Sequence, residues 1–288
     1  MRTLDHFVMP VADLTSARAR YSSLGFTVAP DARHPFGTEN CCVFMSDGSF
    51  IEPLAIGDGA AYQLAVDAEN AFVKGHYNFC AANGSEGFSH LVVKSLDVRA
   101  DHAEFSKSGI SGGEIVDFGR KFTKPDGTEA EVAFSLAFAT EQNSPDATFF
   151  ACQVVKSVPG GRGALVQHVN GAIKTKRVLI SAHEPKSFVT FLEQFFGCHA
   201  ANTNGGITLK LPGGDVDVLE SAACQQDYGS IYKPDRGMHL SALVLQVADL
   251  KLTRDLLAKN HVNVQDRQTR IVVSPALQGQ GGTIVFEE

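Results

Sequence analysis

The chain has 288 residues, of which 44% are hydrophobic and 20% charged, so it is long enough for one large core or two medium ones. Its 32 acidic and 25 basic residues give a net charge of −7, and the scattered lysines and arginines argue against a nucleic-acid-binding surface. The sequence contains no run of about twenty apolar residues, which excludes a membrane-spanning helix.

The cysteines and the first residues indicate where the protein works. Six cysteines, at positions 41, 42, 80, 152, 198 and 224, show no CxxC spacing, so we expect buried reduced thiols and no zinc knuckle or disulfide framework. The opening MRTLDHFVMPV has no long apolar stretch of the kind a secretory leader carries. We therefore expect a cytoplasmic protein without membrane or nucleic-acid partners, and leave a homodimer open.

The first structural unit begins with LDHFVMPVADL, residues 4–14, which predicts a buried strand followed by a helix capped by Asp13. The helix continues through LTSARARYSSLGF, whose apolar residues follow helical spacing, and Gly25 is placed to end it. FTVAPD, NCCVFMSDG and SFIEPLAI then predict three strands, with a hairpin at Ser-Asp-Gly. This order defines a βαβββ unit.

Three further copies of this unit follow. Residues 88–98, FSHLVVKSLDV, repeat the opening phrase, and the helix that follows is capped by Asp97 and ends at Gly109. The three strands of this copy are predicted in GEIVDFGRKF, TEAEVAFSLAF and ATFFACQVV, with a turn at KPDG, residues 124–127. A looser copy begins with a strand around residues 178–180 and ends its helix at Gly197. The fourth repeats the VADL phrase, and its helix stops near Asn260.

Four copies predict an α+β fold in which four βαβββ modules pair into two lobes, because a single module leaves one sheet face bare. The predicted lobes are residues 1–156 and 174–288, with VPGGRGALVQHVNGA as connector and an exposed stretch at VPGGRG, residues 158–163. Residues 57–87 predict an inserted helix and linker.

Each of the first two copies carries a histidine on its first strand, seven residues before the helix cap. These are His6 and His90, and the last strand of the first copy carries Glu52. A dication needs several ligands converging from different strands, and two imidazoles with one carboxylate are typical of an open, catalytic site. The alternative is that both histidines are core residues with local hydrogen bonds and that Glu52 faces solvent.

Four such modules, with histidine on the first strand and glutamate on the last, resemble the vicinal oxygen chelate superfamily, which includes glyoxalase I, extradiol dioxygenases and bleomycin-resistance proteins. The phrases LDHFVMPVADL, RHPFGTEN (33–40) and QHVNGA (167–172) resemble more narrowly the bacterial glyoxalase-like domain group. The resemblance implies a cupped sheet holding a divalent metal, either zinc, nickel, iron or manganese, through His6, Glu52, His90 and a residue on TFFACQVV.

That fourth position departs from the family pattern. The only polar candidate is Gln153, a neutral oxygen ligand and a weak base, so the implied metal site is weakened and an empty site is the alternative. In the C-terminal half, alignment places Val178 and Ala242 where His6 and His90 stand, so we expect no metal there.

Four other residues are candidates for substrate binding. The fork-shaped guanidinium of Arg120 suits a carboxylate, although a surface arginine is the alternative. His34 and Asn40, on the hairpin after the first helix, and His168, on the connector, carry the narrower resemblance, although turns use such residues for local hydrogen bonds.

These features predict a glyoxalase-like, metal-dependent lyase or isomerase acting on a small substrate with vicinal oxygens, with Glu52 or a metal-bound water handling the proton. An extradiol-type dioxygenase uses the same ligand set and remains open. The third possibility is a resistance-type protein that sequesters a small molecule without chemistry.

Overall fold

The structure is a computed structural model that describes residues 1–123, 129–157, 162–229, 236–275 and 278–288. The predicted turn at 124–127 and most of the VPGGRG stretch lie outside the described residues. No helix in the described ranges is long and apolar enough to cross a membrane.

The N-terminal half forms one sheet from the first two modules. Its strands in chain order are β1 (Leu4–Pro10), β2 (Ala32–Arg33), β3 (Thr38–Asn40), β4 (Val43–Phe44), β5 (Phe50–Ile56), β6 (His90–Lys94), β7 (Val116–Thr123), β8 (Glu129–Ala139) and β9 (Thr148–Lys156). The spatial order is β2-β3-β5-β1-β6-β9-β8-β7, with β4 on β5. The two first strands, β1 and β6, pair antiparallel at the centre, which relates the modules by a pseudo-twofold axis.

The C-terminal half repeats this plan in a second sheet. Its strands are β10 (Ala172–Ala182), β11 (Ala201–Thr203), β12 (Gly206–Leu209), β13 (Asp215–Glu220), β14 (His239–Val247), β15 (Gln265–Arg267), β16 (Arg270–Val273) and β17 (Thr283–Glu287). The order β11-β12-β13-β10-β14-β17-β16-β15 again pairs two first strands at the centre. The predicted α+β fold of four paired βαβββ modules is confirmed, while the lobe boundaries stay a prediction.

The helices are α1 (Leu14–Ser23), α2 (Gly59–Asp67), α3 (Ala71–Asn83), α4 (Val98–Lys107), α5 (Val189–Phe196), α6 (Ser221–Tyr228) and α7 (Leu250–Lys259). The predicted aspartate caps are present: an Asp13 carboxylate oxygen accepts from the Ser16 amide at 2.7 Å, and Asp97 and Asp249 cap α4 and α7 in the same way. Gly25 follows α1 with a φ of +84°, which a residue with a side chain rarely adopts.

The structure differs from the sequence expectation in three places. FTVAPD, residues 26–31, contains no regular strand, because this stretch leads from α1 into the short β2–β3 hairpin. The insertion forms two helices, α2 and α3, and α6 was not predicted. The prediction of reduced thiols is consistent with six free cysteines.

The two halves share one continuous apolar core on the sheet faces that carry α1, α4, α5 and α7. Phe149 of β9 packs edge-to-face against Phe191 and Phe195 of α5, with ring centroids 5.0 and 5.3 Å apart. Tyr21 of α1 donates a hydrogen bond from its hydroxyl to the Gln280 carbonyl oxygen at 2.8 Å. The opposite face of each sheet is therefore the one left for a site.

That opposite face of the N-terminal sheet, which we call the N-terminal cup, is lined by Val8, Val92 and Phe150 and covered on one side by α2 and α3. Phe36, beside the β2–β3 hairpin, packs against Phe118 of β7 with ring centroids 5.1 Å apart. The two ends of the sheet order therefore touch, which shows that the sheet curls.

Candidate functional site

The register of β1 and β5 brings His6 and Glu52 together. Val8 pairs with Glu52 in the parallel ladder, and His6 lies two residues before Val8, so both side chains point into the N-terminal cup. His6 Nε2 lies 3.5 Å from Glu52 Oε2, and the two residues are 6% and 4% exposed. A carboxylate so buried requires polar partners.

Asp5 supplies a second carboxylate to His6. Its Oδ2 lies 2.8 Å from His6 Nδ1. Adjacent residues of a regular strand point to opposite faces, but the ladder between β1 and β6 shifts register between Leu4 and His6, and such an irregularity re-aims a side chain. His6 therefore lies between two carboxylates.

The β2–β3 hairpin completes the polar group. Asn40 Nδ2 donates to Glu52 Oε1 at 2.6 Å, and His34 Nε2 lies 3.8 Å from the same oxygen. His34 Nδ1 is 2.8 Å from Thr38 Oγ1. We call Asp5, His6, His34, Asn40 and Glu52 the acid–base cluster; it contains the predicted residues His6, Glu52, His34 and Asn40.

Aromatic rings surround the acid–base cluster. The imidazole of His6 stacks on Phe50, with ring centroids 4.5 Å apart and planes 12° apart. The ring of His34 stacks on Phe36 at 5.0 Å and meets Phe118 edge-on at 5.4 Å. These ring contacts hold both imidazoles in fixed orientations.

Burial determines the protonation of two groups beside Glu52. Desolvation lowers the pKa of His34 to about 4, although the charge of Glu52 partly opposes this. Burial also raises the pKa of the Cys42 thiol well above its usual value. At neutral pH His34 is therefore a neutral imidazole, and Cys42 is a protonated thiol, which is a poor nucleophile.

Arg120, on β7, lies in the electrostatic field of this site, since its charge lowers the pKa values of both His34 and Cys42. Its Nε and Nη1 atoms are buried and have no hydrogen-bond partner in the described part of the chain. The predicted substrate-binding arginine is thus close to the acid–base cluster, with two donor groups unused.

His90 occupies the position equivalent to His6 but has different surroundings. It pairs with Val8, as His6 pairs with Val92, so both histidines lie on the same face of the sheet. Its Nδ1 lies 2.5 Å from Ser89 Oγ and its Nε2 3.4 Å from the Phe72 carbonyl oxygen. Desolvation lowers the pKa of His90 to about 3.

Helix α3 seals His90 from the rest of the cup. A Cβ at Gly75 would lie 3.1 Å from His90 Nε2, so this glycine allows the helix to approach the imidazole closely. The ring of Phe150 packs edge-on against both His6 and His90.

The structure does not bring Gln153 into the cup. The residue equivalent to Glu52 is Phe150, because Val92 pairs with Phe150 as Val8 pairs with Glu52. Gln153 faces the other side of the sheet, where its Oε1 accepts from the Val98 amide at 3.0 Å and its Nε2 donates to the Leu96 carbonyl at 3.1 Å. Its side-chain amide therefore stabilises the start of α4 through two hydrogen bonds.

The residues as arranged do not fit a bound divalent metal. His6 and Glu52 are two donors, fewer than the three protein ligands that catalytic zinc sites keep, and His90 is turned to Ser89 and a backbone carbonyl. In the described ranges, no three histidine, cysteine, aspartate or glutamate side chains are placed to hold an ion. The ligand roles of His6, Glu52, His90 and Gln153 stay predictions.

His168 lies away from the acid–base cluster and has structural contacts. Its Nδ1 accepts from the Thr27 amide at 3.0 Å and its Nε2 donates to the Phe44 carbonyl at 2.9 Å. Both ring nitrogens are used to fix the segment before β10 against the first module, which leaves none for a substrate.

The C-terminal sheet shows what stands at the equivalent positions. Arg177 pairs with Val244 as His6 pairs with Val92, so Arg177, and not Val178, occupies the His6 position. The third copy is one residue longer here, with 20 positions from Arg177 to Gly197 against 19 from His6 to Gly25, and its connection to α5 includes a 3-10 turn at Pro185–Phe188. Counting back from the glycine therefore gave Val178. Ala242 does occupy the His90 position, as predicted.

Sequence reasoning missed Asp5 and Phe150. The neighbour of a strand histidine is expected on the other face, and no residue pattern announces the irregularity that re-aims Asp5. Phe150 could have been found, because pairing β6 with β9 in the same register as β1 with β5 places Phe150 at the position equivalent to Glu52.

The model of the family described as "Glyoxalase-like domain" matches residues 4–196 of the chain. The chain belongs to the glyoxalase-like domain family. Together with the structural neighbours, this places the glyoxalase-like chain in the vicinal oxygen chelate superfamily. No curated protein sequence matches it.

Solved structures share the fold at low identity. A hypothetical protein from Staphylococcus aureus aligns over 100% of this chain and 99% of its own, with 12% identity and a TM-score of 0.68. A mutant 4-hydroxymandelate synthase from Streptomyces coelicolor aligns over 100% of this chain and 94% of its own, with 12% identity and a TM-score of 0.60. The Mn(II)-bound glyoxalase from Novosphingobium aromaticivorans aligns over 99% of this chain and 82% of its own, with 8% identity and a TM-score of 0.57. At these identities the likeness establishes the fold.

Proposed function

We propose that this glyoxalase-like chain is a lyase or isomerase that moves a proton on a small substrate with vicinal oxygens, bound in the N-terminal cup. The observation that carries the proposal is Glu52, a buried carboxylate held by Asn40 at 2.6 Å with an imidazole 3.5 Å away. A fixed, buried carboxylate among aromatic rings is suited to take a proton from carbon next to a carbonyl.

The contacts of His6 supply a place for the proton to go. Asp5 can only accept a hydrogen bond, so His6 Nδ1 donates to it and Nε2 faces Glu52. When Glu52 has taken a proton, Nε2 of His6 can receive it, and the Asp5 carboxylate stabilises the resulting imidazolium. His34, neutral at pH 7, adds no competing positive charge.

A metal-dependent variant of the same function is the second candidate. It is supported by the Mn(II)-bound glyoxalase among the structural neighbours. The sealed position of His90 and the outward position of Gln153 argue against this variant and against the extradiol-type dioxygenase.

Solvent deuterium exchange tests the proposal without knowledge of the full reaction. The protein is incubated in D₂O with a panel of small 2-oxo and 2-hydroxy carbonyl compounds, and deuterium at the carbon next to the carbonyl is followed by NMR. We expect exchange on at least one compound and a loss of about 10²- to 10⁴-fold in rate for Glu52→Gln.

Chelator separates the candidates in the same assay. Exchange that persists after chelator treatment supports the metal-independent function. Exchange that is lost and returns only with one added divalent metal supports the second candidate. Binding of panel compounds with no exchange by the wild type, with or without added metal, would favour the sequestering, resistance-type protein and contradict the proposal.

A further inference from the structure

We propose that the N-terminal cup takes a carboxylate-bearing substrate and that Arg120 binds the carboxylate. This deepens the proposed function and rests on it only in placing the substrate beside Glu52. Among the buried polar groups around the acid–base cluster, Arg120 is distinguished by donors with no acceptor in the described part of the chain.

The unused donors of Arg120 are the first step. Its Nε and Nη1 atoms are buried without a hydrogen-bond partner, and in the described residues no carboxylate forms an ion pair with it. Burying a guanidinium without an acceptor is costly, since these N–H groups have lost their water. A site that keeps such a group is arranged for an anion that arrives from outside.

The nearby carboxylates are already used by other partners, which is the second step. Glu52 accepts from Asn40 and faces His6, while Asp5 accepts from His6. The other arginine near the cluster is also occupied. Arg162 donates from Nη1 to the Gly48 carbonyl at 3.1 Å and lies over the Phe44 ring at 3.9 Å.

The shape of the donor pair favours a carboxylate, which is the third step. Nε and a terminal nitrogen of a guanidinium form the planar fork that matches the two oxygens of a carboxylate. Phe118, two residues before Arg120 on β7 and therefore on the same face, adds a ring that contacts His34 and Phe36. The ligand class is thus a small 2-oxygenated carboxylic acid with an apolar group.

Calorimetric titration with matched ligands tests the proposal. The ligands are phenyllactate, its uncharged amide and inorganic phosphate, and the proteins are chelator-treated wild type, Arg120→Met, Arg120→Lys and the control Arg99→Met. Arg99 is an exposed arginine whose charge is paired with Asp117 at 3.5 Å, outside the acid–base cluster. Arg120→Lys keeps the charge and removes the fork.

We expect the wild type to bind phenyllactate at least about tenfold more tightly than the amide, since a charge-assisted hydrogen bond contributes that much or more. Arg120→Met should lose about 10- to 100-fold in affinity for the acid and keep its affinity for the amide, Arg120→Lys should fall between, and Arg99→Met should match the wild type. Any of four results would overturn the proposal: the wild type binds acid and amide equally, it does not bind the acid, it binds phosphate more tightly than the acid, or Arg120→Met keeps the wild-type affinity for the acid.

The outcome is separable from that of the proposed function. Arg120-dependent binding of the acid, with no deuterium exchange on any compound, refutes the proton-transfer function and leaves the carboxylate site standing. Glu52-dependent exchange on uncharged compounds, with no Arg120-dependent binding, refutes the carboxylate site alone.

Discussion

The N-terminal cup and the corresponding face of the C-terminal sheet have the same backbone register and different chemistry. Register-equivalent pairs are His6 and Arg177, Glu52 and Asp217, His90 and Ala242, and Phe150 and Val285. In the N-terminal cup the polar positions hold an imidazole and a buried carboxylate, whereas the C-terminal face holds opposite full charges.

The charges of the C-terminal face are paired with each other. Arg177 Nη2 donates to both carboxylate oxygens of Glu287 at 2.7 Å, and its Nε lies 3.6 Å from Asp217. Arg270 donates from Nη1 to the Tyr228 hydroxyl at 2.7 Å. The comparison teaches that one module pair uses its inner face for internal ion pairing, whereas in the other the Nε and Nη1 atoms of Arg120 have no hydrogen-bond partner in the described part of the chain.

The largest expected effect is an acid instability that originates in the N-terminal cup. Burial lowers the pKa values of His34 and His76 to about 4 and of His90 to about 3. Because the unfolded histidines protonate near pH 6.5 and the folded ones do not, the folded state loses stability as pH falls below about 6.5 towards 4. In this pH range each histidine lowers the unfolding free energy by about 1.4 kcal/mol per pH unit, so the three together lower it by about 4 kcal/mol per pH unit.

Urea unfolding at a series of pH values between 7 and 4.5 measures this slope. His76→Leu removes one of the three groups and should reduce the slope by about a third. A slope that His76→Leu leaves unchanged would show that the buried histidines of the N-terminal half are not its origin.

The next effect tests the C-terminal face. Arg177→Met leaves Glu287 buried without its main partner and should lower the unfolding free energy by about 3 kcal/mol. The double variant Arg177→Met, Glu287→Leu should recover most of this loss. The control Lys210→Met removes an exposed ion pair with Asp215 and should change stability by less than about 1 kcal/mol. If the double variant is as unstable as the single one, pairing is not what the face provides.

The smallest effect concerns Gln153. Gln153→Ala removes two hydrogen bonds at the start of α4 and should cost about 1 kcal/mol of unfolding free energy, without changing ligand binding in the N-terminal cup. Thermal unfolding and the phenyllactate titration measure the two quantities. Loss of ligand affinity or of a bound metal in this variant would return Gln153 to the ligand role that the family resemblance implies.

The fold followed from the sequence because its signals are local and repeated. Asp13 and Asp97 each precede a helical pattern that ends at a glycine twelve residues on, and the same order in the fourth copy confirmed the module. His6, Glu52, His34 and Asn40 came together because strand pairing and the β2–β3 hairpin bring their positions to one face.

The rest depended on features that periodicity does not reveal. A register shift turns Asp5 towards His6, and one extra residue between Arg177 and the helix-ending Gly197 moved the alignment to Val178. His90 is enclosed by the inserted helix α3, which can approach its imidazole closely because Gly75 has no side chain. Long-range packing of that kind leaves no pattern in the strand that carries the histidine.

The most direct test compares Glu52→Gln with Asp217→Asn, the same change at register-equivalent positions of the two sheets. Deuterium exchange on the responsive compound and urea unfolding are measured for both. We predict that Glu52→Gln lowers the exchange rate about 10²- to 10⁴-fold with stability nearly unchanged, whereas Asp217→Asn keeps the exchange rate within about twofold and loses about 1 kcal/mol of stability. Full exchange activity in Glu52→Gln, or its loss in Asp217→Asn, would contradict the assignment of the reaction to the N-terminal cup.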